Sequence, residues 1–188
     1  MERPTLEQLD LELRRRKRKR EYSHTMRGTI FLLITVAAAA VLIATIFLPI
    51  LQVYGSSMEP TLENGELVLA LKTGKFQRGE VVAFYYNNKI LLKRVIAIQG
   101  DQVVIREDGT VLVNGSERVE PYLSEKSLGE CDIEFPYQVP DNRIFVMGDH
   151  RESSIDSRTT AIGCISDEFI VGKVVLRFWP LSRMGAVN

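Results

Sequence analysis

The chain is poor in cysteine and histidine, with two of each among its 188 residues. Cys131 and Cys164 are too few for a disulfide framework, no Cys-x-x-Cys pair occurs, and His24 and His150 stand far apart. That pattern offers no metal site, and no metal or cofactor is expected. Net charge is lacking too, because 24 Lys/Arg balance 24 Asp/Glu. The balance is uneven along the chain. Residues 1–27 hold nine basic and five acidic residues, a net +4, and the remainder carries −4. The larger part is therefore not a basic surface, and no nucleic-acid partner is expected. Beyond residue 52 no apolar pattern of helical period runs for 12 residues, which argues against long helices there. What remains is a length suited to one ordinary domain with short appendages.

Charge is absent altogether from Gly28 to Leu51, 24 residues in a row. About 20 residues at 1.5 Å each cross a bilayer core, so the run predicts a transmembrane helix over 28–51. Pro49 sits near its outer end, where it ends or kinks a helix at little cost. Arg14 to Arg20 is an unbroken run of seven basic residues, close enough to the span to fix its orientation. The expected topology has a cytoplasmic basic segment at 1–27 and an extracytoplasmic domain at 52–188. Residues 1–13 are polar and charged, compatible with a short helix or with disorder. A nucleic-acid-binding tail is the competing reading of the basic run. A cleaved signal peptide competes for the apolar run, but its core would be shorter and end in small residues.

Past Leu62 the pattern becomes short apolar runs punctuated by turn residues. Strands are expected at Glu66–Leu71, Glu80–Tyr86, Lys89–Ile98, Val103–Arg106, Thr110–Val113, Arg143–Met147 and Ile170–Phe178. Asn87-Asn88 and Asp108-Gly109 read as hairpin turns. Pro121 to Pro140 reads as an excursion from the sheet. The expected fold class is mainly β: an antiparallel open barrel or sandwich behind an N-terminal helix. Within it, Cys131 and Cys164 read either as a disulfide outside the cell or as two separate thiols. Cys164, set among Ala161-Ile162-Gly163 and Ile165, reads as a small packed hydrophobe.

The stretch Gly55-Ser56-Ser57-Met58-Glu59-Pro60-Thr61-Leu62 begins four residues beyond Leu51. It sets a candidate serine nucleophile just outside the bilayer. A serine needs a base before it attacks a carbonyl. Lysine serves if its amine is neutral, and burial favours the neutral form. Lys93, in Ile90-Leu91-Leu92-Lys93-Arg94-Val95-Ile96, is best placed for that. A surface lysine whose stem covers apolar atoms is the bland alternative. Lys93 and Arg94 should face opposite ways on a strand, so that one can point inward and the other out. Lys72, Lys75, Lys89, Lys126 and Lys173 sit beside polar residues or glycine and read as solvated.

Four segments in order resemble the boxes of type I signal peptidases. Gly55–Leu62 resembles the nucleophile box, Gly79-Glu-Val-Val-Ala-Phe84 the strand after it, Leu92–Asp101 the lysine box, and Gly148–Arg158 the last box. The resemblance implies Ser57 as nucleophile and Lys93 as general base. It implies Ser154 as the serine that aims the lysine amine, with Asp149, Asp156 and Arg158 holding the last box in shape. Ser56 and Ser153 are adjacent chemical equivalents. Asp149, Asp156 and Arg158 also read as an ordinary structural ion pair. The resemblance implies a β fold, no cofactor, and cleavage of exported preproteins at the bacterial plasma membrane after small residues. The bilayer and the secretion machinery would be its surroundings. Gly55 stands where some members have a serine, which leaves the Ser57 N–H as the main oxyanion donor. The short span from Asp101 to Asn142 lacks the large second β domain of some members. Competing readings are a repressor-type serine–lysine autoprotease, an inactive assembly factor, and a peptidase dedicated to one pilin or conjugation protein.

Overall fold

The structure, a computed structural model, describes residues 6–187. They fall into two units that divide between Ile46 and Phe47.

The first unit is one helix, α1 (Leu6–Phe47). Its segment from Leu13 to Phe47 is long and apolar enough to cross a membrane, with mean hydropathy 2.8 in its best window. Three threonines in the apolar part bond back to their own helix: Thr29 to Thr25 O, Thr35 to Phe31 O and Thr45 to Leu42 O. An unpaired hydroxyl would be costly in hydrocarbon, and this pairing removes that cost. The helix begins earlier than the uncharged run and takes in the whole basic stretch. It also ends earlier, at Phe47 rather than Leu51. Pro49 has no N–H to continue the helix. Residues 50–52 instead become a strand paired with residues 67–69.

The second unit is β-rich. Its strands are β1 (Ile50–Gln52), β2 (Leu67–Leu71), β3 (Val81–Tyr86), β4 (Lys89–Ile98), β5 (Gln102–Ile105) and β6 (Val111–Val113). They continue with β7 (Ser116–Glu117), β8 (Tyr137–Gln138), β9 (Arg143–Met147), β10 (Ile165–Ser166), β11 (Ile170–Trp179) and β12 (Gly185–Ala186). The larger sheet runs β1-β2-β11-β3-β4-β9-β10, with β12 added to β11; the smaller runs β7-β6-β5-β8. Every pairing is antiparallel, and β1 and β10 are open edges. The expected mainly β, open architecture is thus present. All seven expected strands appear within a residue or two of their expected ends. The five not foreseen have two or three residues each, too short to show an alternation.

Asn87 and Asn88 both have positive φ, 45° and 60°. That geometry gives a two-residue hairpin whose twist matches its strands, and it closes β3 onto β4. The middle strands are apolar on both faces because both faces are covered. Val82, Phe84 and Val95 pack with Ile144 and Val146 in one core cluster. Val81, Ala83 and Leu92 pack with Met58, Leu62 and Val68 in another. A third cluster joins Ile96, Ala97 and Phe145 to the smaller sheet through Val103 and Val111. Cys131 and Cys164 are both free thiols. Cys164 lies in that third cluster, and burial pushes its thiol up to about 11. Of the two readings of these cysteines, the separate thiols are what the structure contains. The Pro121–Pro140 stretch is irregular apart from β8.

Candidate active site

The Ser57 turn is built from its apolar neighbours. Met58 and Leu62 are 2% and 0% exposed, and Leu62 N–H donates to Met58 O at 2.9 Å. Anchoring those two side chains in the core leaves Ser57 half-buried at the rim, with Ser56 exposed. Met58 is indeed a core filler.

Lys93 comes to the same place from β4. Its Nζ donates to Ser57 Oγ at 2.6 Å, and only 3% of the residue is exposed. Burial lowers its pKa to about 8; Asp156 and Asp149 act against that fall and Arg158 adds to it. Of the two adjacent serines, Ser57 is therefore the one within reach of the amine.

Arg94 is 1% exposed, so neither of the two residues points outward. They do face opposite ways, but both faces of β4 are covered here. Lys93 meets the Ser57 turn. Arg94 meets Asp149 through Nε to Oδ1 at 2.8 Å and Nη2 to Oδ2 at 2.6 Å. Thr61, on the Ser57 turn, donates to Asp149 Oδ2 at 2.5 Å and accepts from Arg94 Nη2 at 3.2 Å. The Ser57 turn, β4 and the Gly148–Arg158 box are thus joined at one buried knot.

The three charged residues read as one structural pair divide between two. Asp156 takes Arg158, with Nε to Oδ1 and Nη2 to Oδ2 both at 2.8 Å. Asp149 takes Arg94 instead. Asp156 Oδ2 also accepts from Gly148 N–H at 2.9 Å and from Ser154 Oγ at 2.7 Å. Ser154 is 1% exposed, and its proton is committed to Asp156 rather than to Lys93. Its oxygen keeps acceptor capacity. Ser153 is exposed and meets the His150 ring. His150 contributes its backbone N–H to Ser57 O at 3.1 Å, and its ring is at the surface. Gly148 admits no side chain, because a Cβ would overlap Ser154 Oγ and lie 2.5 Å from Ser57 O.

The other lysines behave as the sequence implied, with one exception. Lys72, Lys75, Lys89 and Lys126 are exposed. Lys173 is half-buried and paired with Glu80 at 2.6 Å. Beside Ser57 lies a small cavity of about 30 Å³, lined by Val53, Tyr54, Met58, Ile90, Leu91 and Leu92 among others. A larger one, about 460 Å³, includes His150 and Glu152 but neither Ser57 nor Lys93. Sequence reasoning missed Arg94, Thr61, Arg151, Glu120 and Tyr122 as parts of this region. Arg94 and Arg151 stood inside quoted boxes and were open to notice. Glu120 and Tyr122 fall in an irregular stretch that gave no signal.

Residues 26–179 match the model of the family described as signal peptidase, peptidase S26. The chain belongs to that family. It is 41% identical over 150 residues to signal peptidase IB of Staphylococcus aureus strain Mu50, covering 69% of this chain and 76% of that one. It is 36% identical over 166 residues to signal peptidase I of Bacillus licheniformis, covering 81% and 88%. Among solved structures it is similar to a signal peptidase I of Enterococcus faecalis V583, at 28% identity and TM-score 0.43, covering 53% of this chain and 96% of that one. This member of the signal peptidase family is a serine endopeptidase, and its N-terminal apolar helix makes it a membrane-anchored one.

Proposed function

We propose that this signal peptidase removes N-terminal signal peptides from exported preproteins, with Ser57 as nucleophile and Lys93 as general base. The observation that carries the reading is the 2.6 Å hydrogen bond from a buried Lys93 amine to Ser57 Oγ. Burial leaves a useful share of the amine neutral near pH 8, where an exposed lysine is almost fully charged. Neutral Lys93 takes the Ser57 proton as Oγ attacks the scissile carbonyl. The Ser57 N–H, which donates to no group among the described residues, faces the developing oxyanion. Lys93 then protonates the departing amine, and water admitted to the site hydrolyses the acyl-enzyme. Ser154 offers its oxygen to the lysine amine while Asp156 holds its proton. Asp156 and Arg158 keep the last box in shape, and Asp149 does the same from the Arg94 side.

The small cavity of about 30 Å³ beside Ser57 supports a preference for small residues next to the bond. The basic run before the apolar segment supports a cytoplasmic N-terminus. The domain from residue 52 onward would then work outside the plasma membrane of a bacterium, with residues 1–27 inside. Held in one bilayer with its substrate, the enzyme meets signal sequences at high effective concentration. Lipid and the secretion machinery are its proposed neighbours.

The test is cleavage of a preprotein carrying an Ala-x-Ala site by the full chain in detergent or lipid, beside Ser57→Ala and Lys93→Ala. Cleavage at that site, lost in both variants, is expected. No cleavage by folded wild type would shift the reading to a single dedicated substrate.

A further inference from the structure

The irregular segment between β7 and β8 contributes neither Ser57 nor Lys93, yet it grips two buried arginines beside them. The Tyr122 ring lies over the Arg94 guanidinium, 3.9 Å from its centroid. The Tyr122 hydroxyl donates to Glu120 Oε1 at 2.7 Å. Glu120 accepts two bonds from Arg151, Nη2 to Oε1 at 2.5 Å and Nη1 to Oε2 at 3.1 Å. The side chains of that pair are 2% and 1% exposed. Arg151 in turn donates through Nε to Gly148 O at 3.2 Å. Two residues of one strap therefore hold cations from two different elements. Each cation bonds directly to Gly148 or Asp149.

A buried cation needs a partner of fixed geometry. A guanidinium is attracted to an aromatic face, more strongly when water is excluded. Arg94 also reaches Thr61 on the nucleophile turn, and His150 N–H reaches Ser57 O. Any turn of Arg94 or Arg151 is therefore passed to both sides of the Ser57–Lys93 pair. We propose that Glu120 and Tyr122 are positioning residues: they fix Arg94 and Arg151, and through Asp149 and Gly148 the placement of Lys93 against Ser57. The inference rests on the Ser57–Lys93 reading. It assigns a task in turnover to a strap that carries no reacting atom.

The experiment compares kcat, KM and thermal midpoint for the full chain in detergent, using the same preprotein, in Tyr122→Leu, Tyr122→Phe and Glu120→Gln. Misplacing a reacting group by about 1 Å can slow a reaction about 100-fold. Tyr122→Leu is expected to lower kcat about 10-fold or more while KM stays within about 3-fold. Tyr122→Phe keeps the ring over Arg94 and is expected to recover most of that loss. A lowered midpoint with kcat within about 2-fold of wild type would make the strap a mere fastener and overturn the proposal. If Tyr122→Leu does not fold, Glu120→Gln decides, since it keeps size while removing the charge and one of the two acceptor oxygens that hold Arg151. A fall in kcat at constant KM supports the proposal, and an unchanged kcat overturns it. Ser57→Ala in the same assay keeps the two readings apart, because cleavage there would sink the nucleophile assignment whatever the strap variants do.

Discussion

Arg94 and Asp149 form a two-pronged ion pair in which each side chain is 1% exposed. They are 55 residues apart in the chain and join the lysine strand to the last box. Removing one partner of such a pair leaves an uncompensated buried charge, at a cost of about 3–5 kcal/mol. Asp149→Ala is expected to lose stability of that order, measured by denaturant unfolding. Arg94→Lys should also be damaging, because a point charge does not reproduce the bidentate fork. Wild-type stability in Asp149→Ala would show the pair to be ornamental.

The choice between neighbouring serines follows from where each hydroxyl goes. Ser57→Ala is expected to abolish cleavage, while Ser56→Ala retains much of it. The reverse result would move the nucleophile. Ser154→Ala is expected to fold and turn over slowly, since the proposed mechanism has its oxygen hold the lysine amine. Turnover at the wild-type rate would reduce Ser154 to structure.

Activity should rise with pH through the value at which Lys93 loses its proton. That value is lowered to about 8, chiefly by burial. The acid limb of the kcat/KM profile is expected near pH 8 rather than near 10.5. Lys93→Arg should be as inactive as Lys93→Ala at every pH tested, because arginine stays charged. Substantial cleavage by the arginine variant would rule out the general-base role.

The same depressed value bears on stability, with a definite sign. Below about pH 8 the folded protein must hold a charged, buried Lys93, or release its proton at a cost the unfolded chain does not share. Between about 8 and 10.5 the unfolded state binds more protons, so this contribution to stability improves as pH rises. Lys93→Met removes the buried amine and keeps an unbranched chain. It is expected to stabilise the fold at pH 7, seen as a raised thermal midpoint, by up to about 3 kcal/mol from the pKa difference, less about 1 kcal/mol for the lost hydrogen bond to Ser57. The gain should shrink toward pH 10. A Lys93→Met variant less stable than wild type at pH 7 would contradict this account.

Gly148 is a steric requirement of the site. A Cβ there would press on Ser154 Oγ and on Ser57 O, displacing both sides of the proposed catalytic pair. Gly148→Ala is expected to lower kcat more than 10-fold even where the protein folds, because small displacements at a reacting centre are costly. Comparison of kcat with far-ultraviolet circular dichroism checks it.

The sequence by itself settled those features that depend on neighbours along the chain. An uncharged run long enough for a bilayer, hairpin turns at Asn87-Asn88 and Asp108-Gly109, and strands read from β-branched residues are local properties. The order of the boxes was legible too, and their resemblance to those of signal peptidases is what made Ser57, Lys93 and Ser154 candidates. The end of the helix was misjudged because Ile50 and Leu51 are as apolar as the run before them. Their fate as a strand depended on β2, which lies 17 residues further on. The partner of each buried charge was beyond local reading too. Asp149 looked like a neighbour of Arg158 but pairs with Arg94, and Glu120 and Tyr122 carried no pattern at all. Lys93 shows the division most plainly. Its residue type and apolar neighbours were written in the strand, but its lowered pKa comes from desolvation by segments folded over it from elsewhere. Only the tertiary structure brings its amine within 2.6 Å of Ser57, 36 residues away in the chain.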